Sequence, residues 1–113
     1  MAKIITTEEL KKKIDEGGNF YLIDALSPNS FEARHIPGAK NVTNGTQYVE
    51  NFEKIVGAPK DAEIIIYCSS SGCMASVQAA DALEKGGYTN VIHYKEGLAG
   101  WRNAGYTFEG EAA

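Results

Sequence analysis

The chain has 113 residues, the size of one compact domain with no room for two, and residues 1–113 are expected to form that single unit. Its make-up, 43% hydrophobic and 23% charged with 12 Gly and 3 Pro, is that of an ordinary globular protein. A net charge of -4 without a Lys/Arg cluster argues against an electrostatic nucleic-acid binder, and no apolar run reaches the roughly 20 residues that span a bilayer.

Residues 1–7 lack the long apolar stretch of a secretion signal, so the expected location is cytoplasmic. Thr6 and Glu9 have capping-box spacing and open a helix in which Leu10 and Ile14 form an i, i+4 apolar pair; Gly17-Gly18 ends it. Residues 20–23 are a continuous apolar run, read as a strand buried on both faces. Ser27-Pro28-Asn29-Ser30 reads as a turn, and Ile36-Pro37-Gly38 as a break before a short strand at residues 39–42.

Residues 47–56 are helical in pattern, with Tyr48, Val49, Phe52, Ile55 and Val56 on one face. Residues 64–67, Ile-Ile-Ile-Tyr, are the most strand-like segment. A small, polar stretch follows, and then a helix over residues 76–85 with Val77, Ala79, Ala80 and Leu83 facing inward. Residues 91–94 form another strand and 98–103 a last short helix. Apolar strands alternating with amphipathic helices predict an α/β fold, a parallel sheet with helices on both faces. Such sheets bind ligands beyond the carboxyl ends of their strands, where Cys68 follows the strongest strand.

Two cysteines are too few for a disulfide framework. With His35 and His93 they show no ligand spacing of the kind zinc requires, so no metal site is expected. A strand-to-helix loop directs backbone N–H groups and the positive end of a helix inward, and so suits an anion such as a thiolate. A thiol of pKa about 8.5 is only about 3% ionised at pH 7, against about 75% at a pKa of about 6.5. That preference is worth roughly 2.7 kcal/mol. No Lys or Arg lies between Cys68 and Lys85, so the loop N–H groups are expected to supply most of it. Ser69, Ser70, Ser71 and Gly72 are small enough to let the backbone converge on the sulfur. Cys73 reads either as a core residue at the helix entry or as a partner thiol, and a disulfide to Cys68 is sterically conceivable.

Read in order, several stretches resemble the rhodanese family of sulfurtransferases in its small single-domain form. They are Leu22-Ile23-Asp24 with Phe31; His35-Ile36-Pro37-Gly38-Ala39-Lys40-Asn41-Val42; Ile65-Ile66-Tyr67-Cys68; and Tyr94-Lys95-Glu96-Gly97-Leu98-Ala99-Gly100-Trp101. The resemblance covers about residues 4 to 109 and implies a central, mostly parallel five-stranded sheet. It also implies that Cys68 accepts a sulfane sulfur, becomes a persulfide and passes the sulfur on, while residues 69 to 73 form its anion-binding loop. The implied partners are a small-molecule or protein-bound sulfane-sulfur donor and a thiol acceptor, with no metal or organic cofactor and no nucleic acid or membrane; a monomer is expected, with an oligomer as the open alternative.

Three features depart from that pattern. The loop has no basic residue, so thiosulfate is expected to be a poor donor and a phosphatase, which needs an arginine clamp, is disfavoured. Ser76 takes the place of the helix-opening Ser, leaving eight residues from Cys68 to Ala75 where the family has six. Leu26 and Ser30 stand where Arg and Glu are common, and Glu96 replaces the first of two glycines. Two rival readings stay open: a thiol-redox protein closing a Cys68/Cys73 disulfide, and a catalytically silent binding module. Asp24 is read as a turn residue, His35 as structural, His93 as a satisfied core or sheet-edge residue, Trp101 as a core anchor, and the tail from Glu109 as loose.

Overall fold

The computed structural model describes residues 3–70 and 72–112. Five strands, β1 (Lys3–Ile4), β2 (Tyr21–Asp24), β3 (Lys40–Asn41), β4 (Ile64–Tyr67) and β5 (Val91–Tyr94), form one sheet in the order β1-β5-β4-β2-β3. All four pairings are parallel, so each crossover carries a helix. These helices are α1 (Thr7–Glu16), α2 (Pro28–Ala33), α3 (Tyr48–Ile55) and α4 (Ala75–Lys85), and α5 (Gly97–Asn103) follows β5. The expected five-stranded α/β architecture is therefore present.

β4 is the middle strand, and all four of its side chains are buried. Alternation sends Ile64 and Ile66 to the face covered by α3 and α4, among Phe52, Ala79, Ala80 and Leu83. Ile65 and Tyr67 go to the opposite face, among Leu10, Ile92, Tyr94 and Trp101. A large apolar side chain buried in this way contributes about 1.5–3 kcal/mol. Asp24, Tyr67 and Tyr94 lie in register at the carboxyl ends of β2, β4 and β5, which brings the following loops together at one edge.

The α1 capping box is complete: Glu9 N–H donates to Thr6 Oγ1 at 3.1 Å and Thr6 N–H to Glu9 Oε1 at 2.9 Å. In the Ile36-Pro37-Gly38 break, Ala39 N–H donates to Ile36 O at 3.1 Å with Gly38 at φ 87. That is the geometry of a turn with Pro second and a positive-φ Gly third.

Several expectations need correction. Ser27-Pro28-Asn29-Ser30 is the start of α2, with Ser27 as N-cap accepting from Ser30 N–H and Pro28 in the first turn. Serine followed by proline opens a helix as well as a turn, and a six-residue helix with no fully buried residue leaves no apolar periodicity to read. β1 has two residues, one of them charged, and exists only through pairing with β5. Ile55 and Val77 are exposed: Ile55 is the last residue of α3, and Val77 lies at the edge of the Ser76, Ala79, Ala80, Leu83 stripe. Through Ala112 the tail is not loose, and Ala113 lies outside the described residues. Glu109 pairs with His35 through both backbone N–H groups, and Glu111 and Ala112 N–H donate to the carbonyls of Glu32 and Ala33 at 2.8 Å each. Trp101 anchors α5 in the core as expected, its indole N–H donating to Thr107 O at 2.9 Å.

Candidate active site

Cys68 leaves the carboxyl end of β4 with only 2% of its surface exposed. Its sulfur lies 3.2 Å from Ser76 Oγ on the first turn of α4 and 3.6 Å from the carbonyl oxygen of Cys73. Ser76, itself buried, lies 2.7 Å from His93 Nε2 on β5. The serine expected to open the helix therefore meets the candidate nucleophile directly.

The first two loop carbonyls point away from the sulfur. Leu98 N–H donates to Cys68 O at 3.0 Å and Ala99 N–H to Ser69 O at 2.9 Å, both from the start of α5. In a planar trans peptide, the carbonyl of one residue and the N–H of the next point in opposite directions. Fixing these carbonyls on α5 thus turns the N–H groups of Ser69 and Ser70 away from those α5 donors. Cys73 N–H closes a turn on Ser70 O at 3.0 Å. Ser71 lies outside the described residues, and Gly72 is exposed in that turn. Among the described residues the donors do not form a ring around one sulfur: Ser76 N–H faces Cys68, while Ser69 and Ala75 N–H face Cys73.

That division corrects the expected acidity. Burial pushes the Cys68 thiol up, the neighbouring Cys73 thiol adds to the rise, and the Ser76 hydroxyl and N–H offset only part of it. Cys73 is less enclosed. Its desolvation, which acts upward, is outweighed by contacts from Cys68, from the Ala75 and Ser69 N–H groups and from the Ser69 hydroxyl, so its thiol lies below the ordinary value. Both cysteines are free. Of the two, the loop favours Cys73 as the first to ionise.

Beside Ser69 opens a cleft of about 560 Å³, lined by Leu26, Ser30, Ala33, Leu98 and Ala99, with Arg34 and Arg102 among its walls. The two positions where this chain lacks Arg and Glu, Leu26 and Ser30, thus line that cleft. Asp24 does not reach the sulfur's hydrogen-bond set: its Oδ1 accepts from Leu26 N–H at 2.8 Å, the turn role expected of it. His35 stacks on Phe31 at 3.9 Å between ring centroids and its Nδ1 lies 2.8 Å from Phe31 O, a structural position. His93 is satisfied, as expected of it, and its partner is Ser76, which also touches Cys68. Parallel register with Ile66 places it on the face covered by α4, a signal present in the strand alternation. Among the described residues no three His, Cys, Asp or Glu side chains converge on a metal-sized site, and no helix is long and apolar enough to cross a membrane.

Known proteins match this chain both in sequence and in overall fold. The family model for the rhodanese-like domain matches residues 6–104. The chain belongs to the rhodanese-like family. The Probable adenylyltransferase/sulfurtransferase MoeZ of Mycobacterium tuberculosis is 28% identical over 97 residues, covering 86% of this chain and 24% of that protein. This rhodanese-like chain thus spans about a quarter of that relative's length. A protein named Sulfurtransferase from Allochromatium vinosum is 27% identical over 105 residues, covering 93% of this chain and 92% of that one. The crystal structure of the BH2092 protein from Bacillus halodurans shares the fold with a TM-score of 0.87 at 23% identity, over 98% of this chain and 79% of that chain.

Proposed function

We propose that the chain is a sulfurtransferase or sulfane-sulfur carrier, with Cys68 as the persulfide-forming nucleophile. The observation that carries this reading is the placement of the Cys68 sulfur at the end of the middle strand, facing the hydroxyl and N–H of Ser76. Family membership and the sulfurtransferase names of two relatives support it. The Cys68 thiolate attacks the outer sulfur of a donor R–S–S⁻, a new S–S bond forms, and the electron pair of the broken bond leaves on R–S⁻. Attack by an acceptor thiolate on the outer sulfur then returns Cys68. Thiolate and persulfide are both anions, which donors fixed in advance stabilise without reorganisation.

Residues 3–112 act in this reading as one rhodanese-like unit, in a reducing compartment such as the cytoplasm, where the thiol stays free. The loop segments described carry no cation, and the nearby guanidinium groups, Arg34 and Arg102, sit in the cleft wall. Thiosulfate is therefore a poorer donor than polysulfide or an organic or protein-bound persulfide. The lowered pKa of Cys73 beside Cys68 favours one second reading, in which Cys73 thiolate attacks the inner sulfur of the Cys68 persulfide, closes a disulfide and releases HS⁻.

Intact mass on reduced protein treated with thiosulfate or with polysulfide tests both. Gain of one sulfur that survives Cys73→Ser and vanishes in Cys68→Ser is the expected result. Loss of two hydrogens dependent on both cysteines would put the redox reading first. An unchanged mass under both donors would overturn sulfur transfer and leave a binding module.

A further inference from the structure

The two short contacts at Ser76 join Cys68 to a histidine that no part of the sulfur-transfer reading uses. From Cys68 Sγ to Ser76 Oγ is 3.2 Å, and from Ser76 Oγ to His93 Nε2 is 2.7 Å. The serine is buried, so water does not compete for its hydroxyl. A hydroxyl is both donor and acceptor, and it can pass a proton between its two neighbours without moving. We infer that Ser76 and His93 form a proton relay that generates the Cys68 thiolate from the enclosed side of the loop, with His93 as a positioning and proton-holding residue.

The step balances. The Cys68 S–H bond breaks and its proton goes to Ser76 Oγ, while the serine's own proton goes to Nε2, which requires the Nδ1–H tautomer beforehand. The products are thiolate and imidazolium, with Ser76 O–H now donating to sulfur and Nε2–H donating to Oγ. The thiolate attacks the sulfane sulfur of R–S–SH, R–S⁻ departs, and a proton returned through the relay, or taken from solvent, completes R–SH. The sum is Cys68–SH plus R–S–SH giving Cys68–S–SH plus R–SH. This step rests on the sulfur-transfer reading, whereas the relay itself acts on the thiol alone.

The surroundings fit a proton acceptor. Burial, with the charge of Lys95 on the turn after β5, holds the His93 imidazolium below its ordinary pKa, so the ring is neutral near pH 7 and able to accept. Cys68 lies at the other end of the same pair of contacts, and Tyr48 and Tyr88 stand on the same face of the sheet. Ile66 on β4 and Ile4 on β1 lie beside His93 in register and carry no charge. The charged residues of α4, Asp81, Glu84 and Lys85, begin beyond its first turn. A thiol pushed up at one end and an imidazole held down at the other give a reactive thiolate–imidazolium minority between the two titrations.

The test is the pH dependence of Cys68 alkylation by iodoacetamide, read by intact mass in the full chain carrying Cys73→Ser. Two rises are expected, one below about pH 6.5 as the imidazolium loses its proton and one above the ordinary thiol pKa. Adding His93→Gln or Ser76→Ala should abolish the lower rise and slow alkylation at pH 7 by about tenfold. Ser76→Thr, which keeps the hydroxyl, should restore it. Rates within twofold and an unchanged profile in both folded variants would overturn the relay. Urea midpoints identify any variant that fails to fold, and either one suffices. Iodoacetamide carries no sulfur, so loss of the relay and loss of persulfide formation under polysulfide are separate results.

Discussion

Gly97 lies against the carbonyl of Cys68 so closely that a Cβ at position 97 would collide with that oxygen and stand 2.9 Å from the carbonyl carbon of Ser69. Its φ of 62 belongs to the left-handed region, so two constraints at one residue hold α5 against the root of the loop. Gly97→Ala is therefore expected to lower stability by about 1–3 kcal/mol and to slow modification of Cys68 more than that of Cys73. Urea unfolding together with peptide-mapped alkylation checks it. A variant with unchanged Cys68 kinetics would separate the loop from α5.

The order in which the thiols react is a second expectation. Cys73 is the less buried and more acidic of the pair, so substoichiometric iodoacetamide near pH 7.5 should label Cys73 before Cys68. Part of the upward push on Cys68 comes from Cys73, so Cys73→Ser should lower the Cys68 pKa and raise its thiolate fraction at neutral pH. Thiolate absorbance against pH in the two single-cysteine variants measures both. Preferential labelling of Cys68 would contradict the assignment.

Asp24 is fully buried, and among the described residues its Oδ2 has no hydrogen-bond partner. Burial raises its carboxyl pKa over the Leu26 N–H bond that acts downward. A carboxyl raised on folding holds its proton more tightly in the native state, so its contribution to stability is present below about pH 4 and lost as pH rises through the folded value. Asp24→Asn cannot ionise and keeps an oxygen for Leu26 N–H. It should gain on the parent between pH 3 and pH 7, by about 1 kcal/mol. Denaturation at pH 3, 5 and 7 checks the trend, and a growing deficit for the variant would refute it.

Stopping the chain after Phe108 removes the Glu109–His35 pairing and leaves the carbonyls of Glu32 and Ala33, at the end of α2, without their donors. With about 0.5–1.5 kcal/mol per net hydrogen bond and some recovery by water, a loss of about 1–2 kcal/mol is expected. Hydrogen exchange should show the loss concentrated in α2. Uniform exchange across the fold would show that the tail does not brace that helix.

The strand β4 was legible because four consecutive large apolar residues have no place except the middle of a sheet. Cys68 was legible because it follows them. What the chain order concealed was pairing. Lys3 and Ile4 become a strand only beside Ile92 and His93, and the tail residues become ordered only beside Glu32, Ala33 and His35. The trio Cys68, Ser76 and His93 comes from the loop after β4, from α4 and from β5, and its histidine stands in a strand read as core. The depressed thiol pKa was expected from the loop's N–H groups alone. Local sequence does not measure how deeply a sulfur is buried, and here burial outweighs the donors.

Both margins of the sheet are two-residue strands, and each carries an exposed lysine, Lys3 on one side and Lys40 on the other. A margin that short offers a passing chain too few free backbone groups to pair with, and a lysine on each makes lateral stacking of two copies electrostatically unfavourable. The long, sticky strands are all internal. The sheet thus presents few free backbone groups at either margin along which further copies could add as strands.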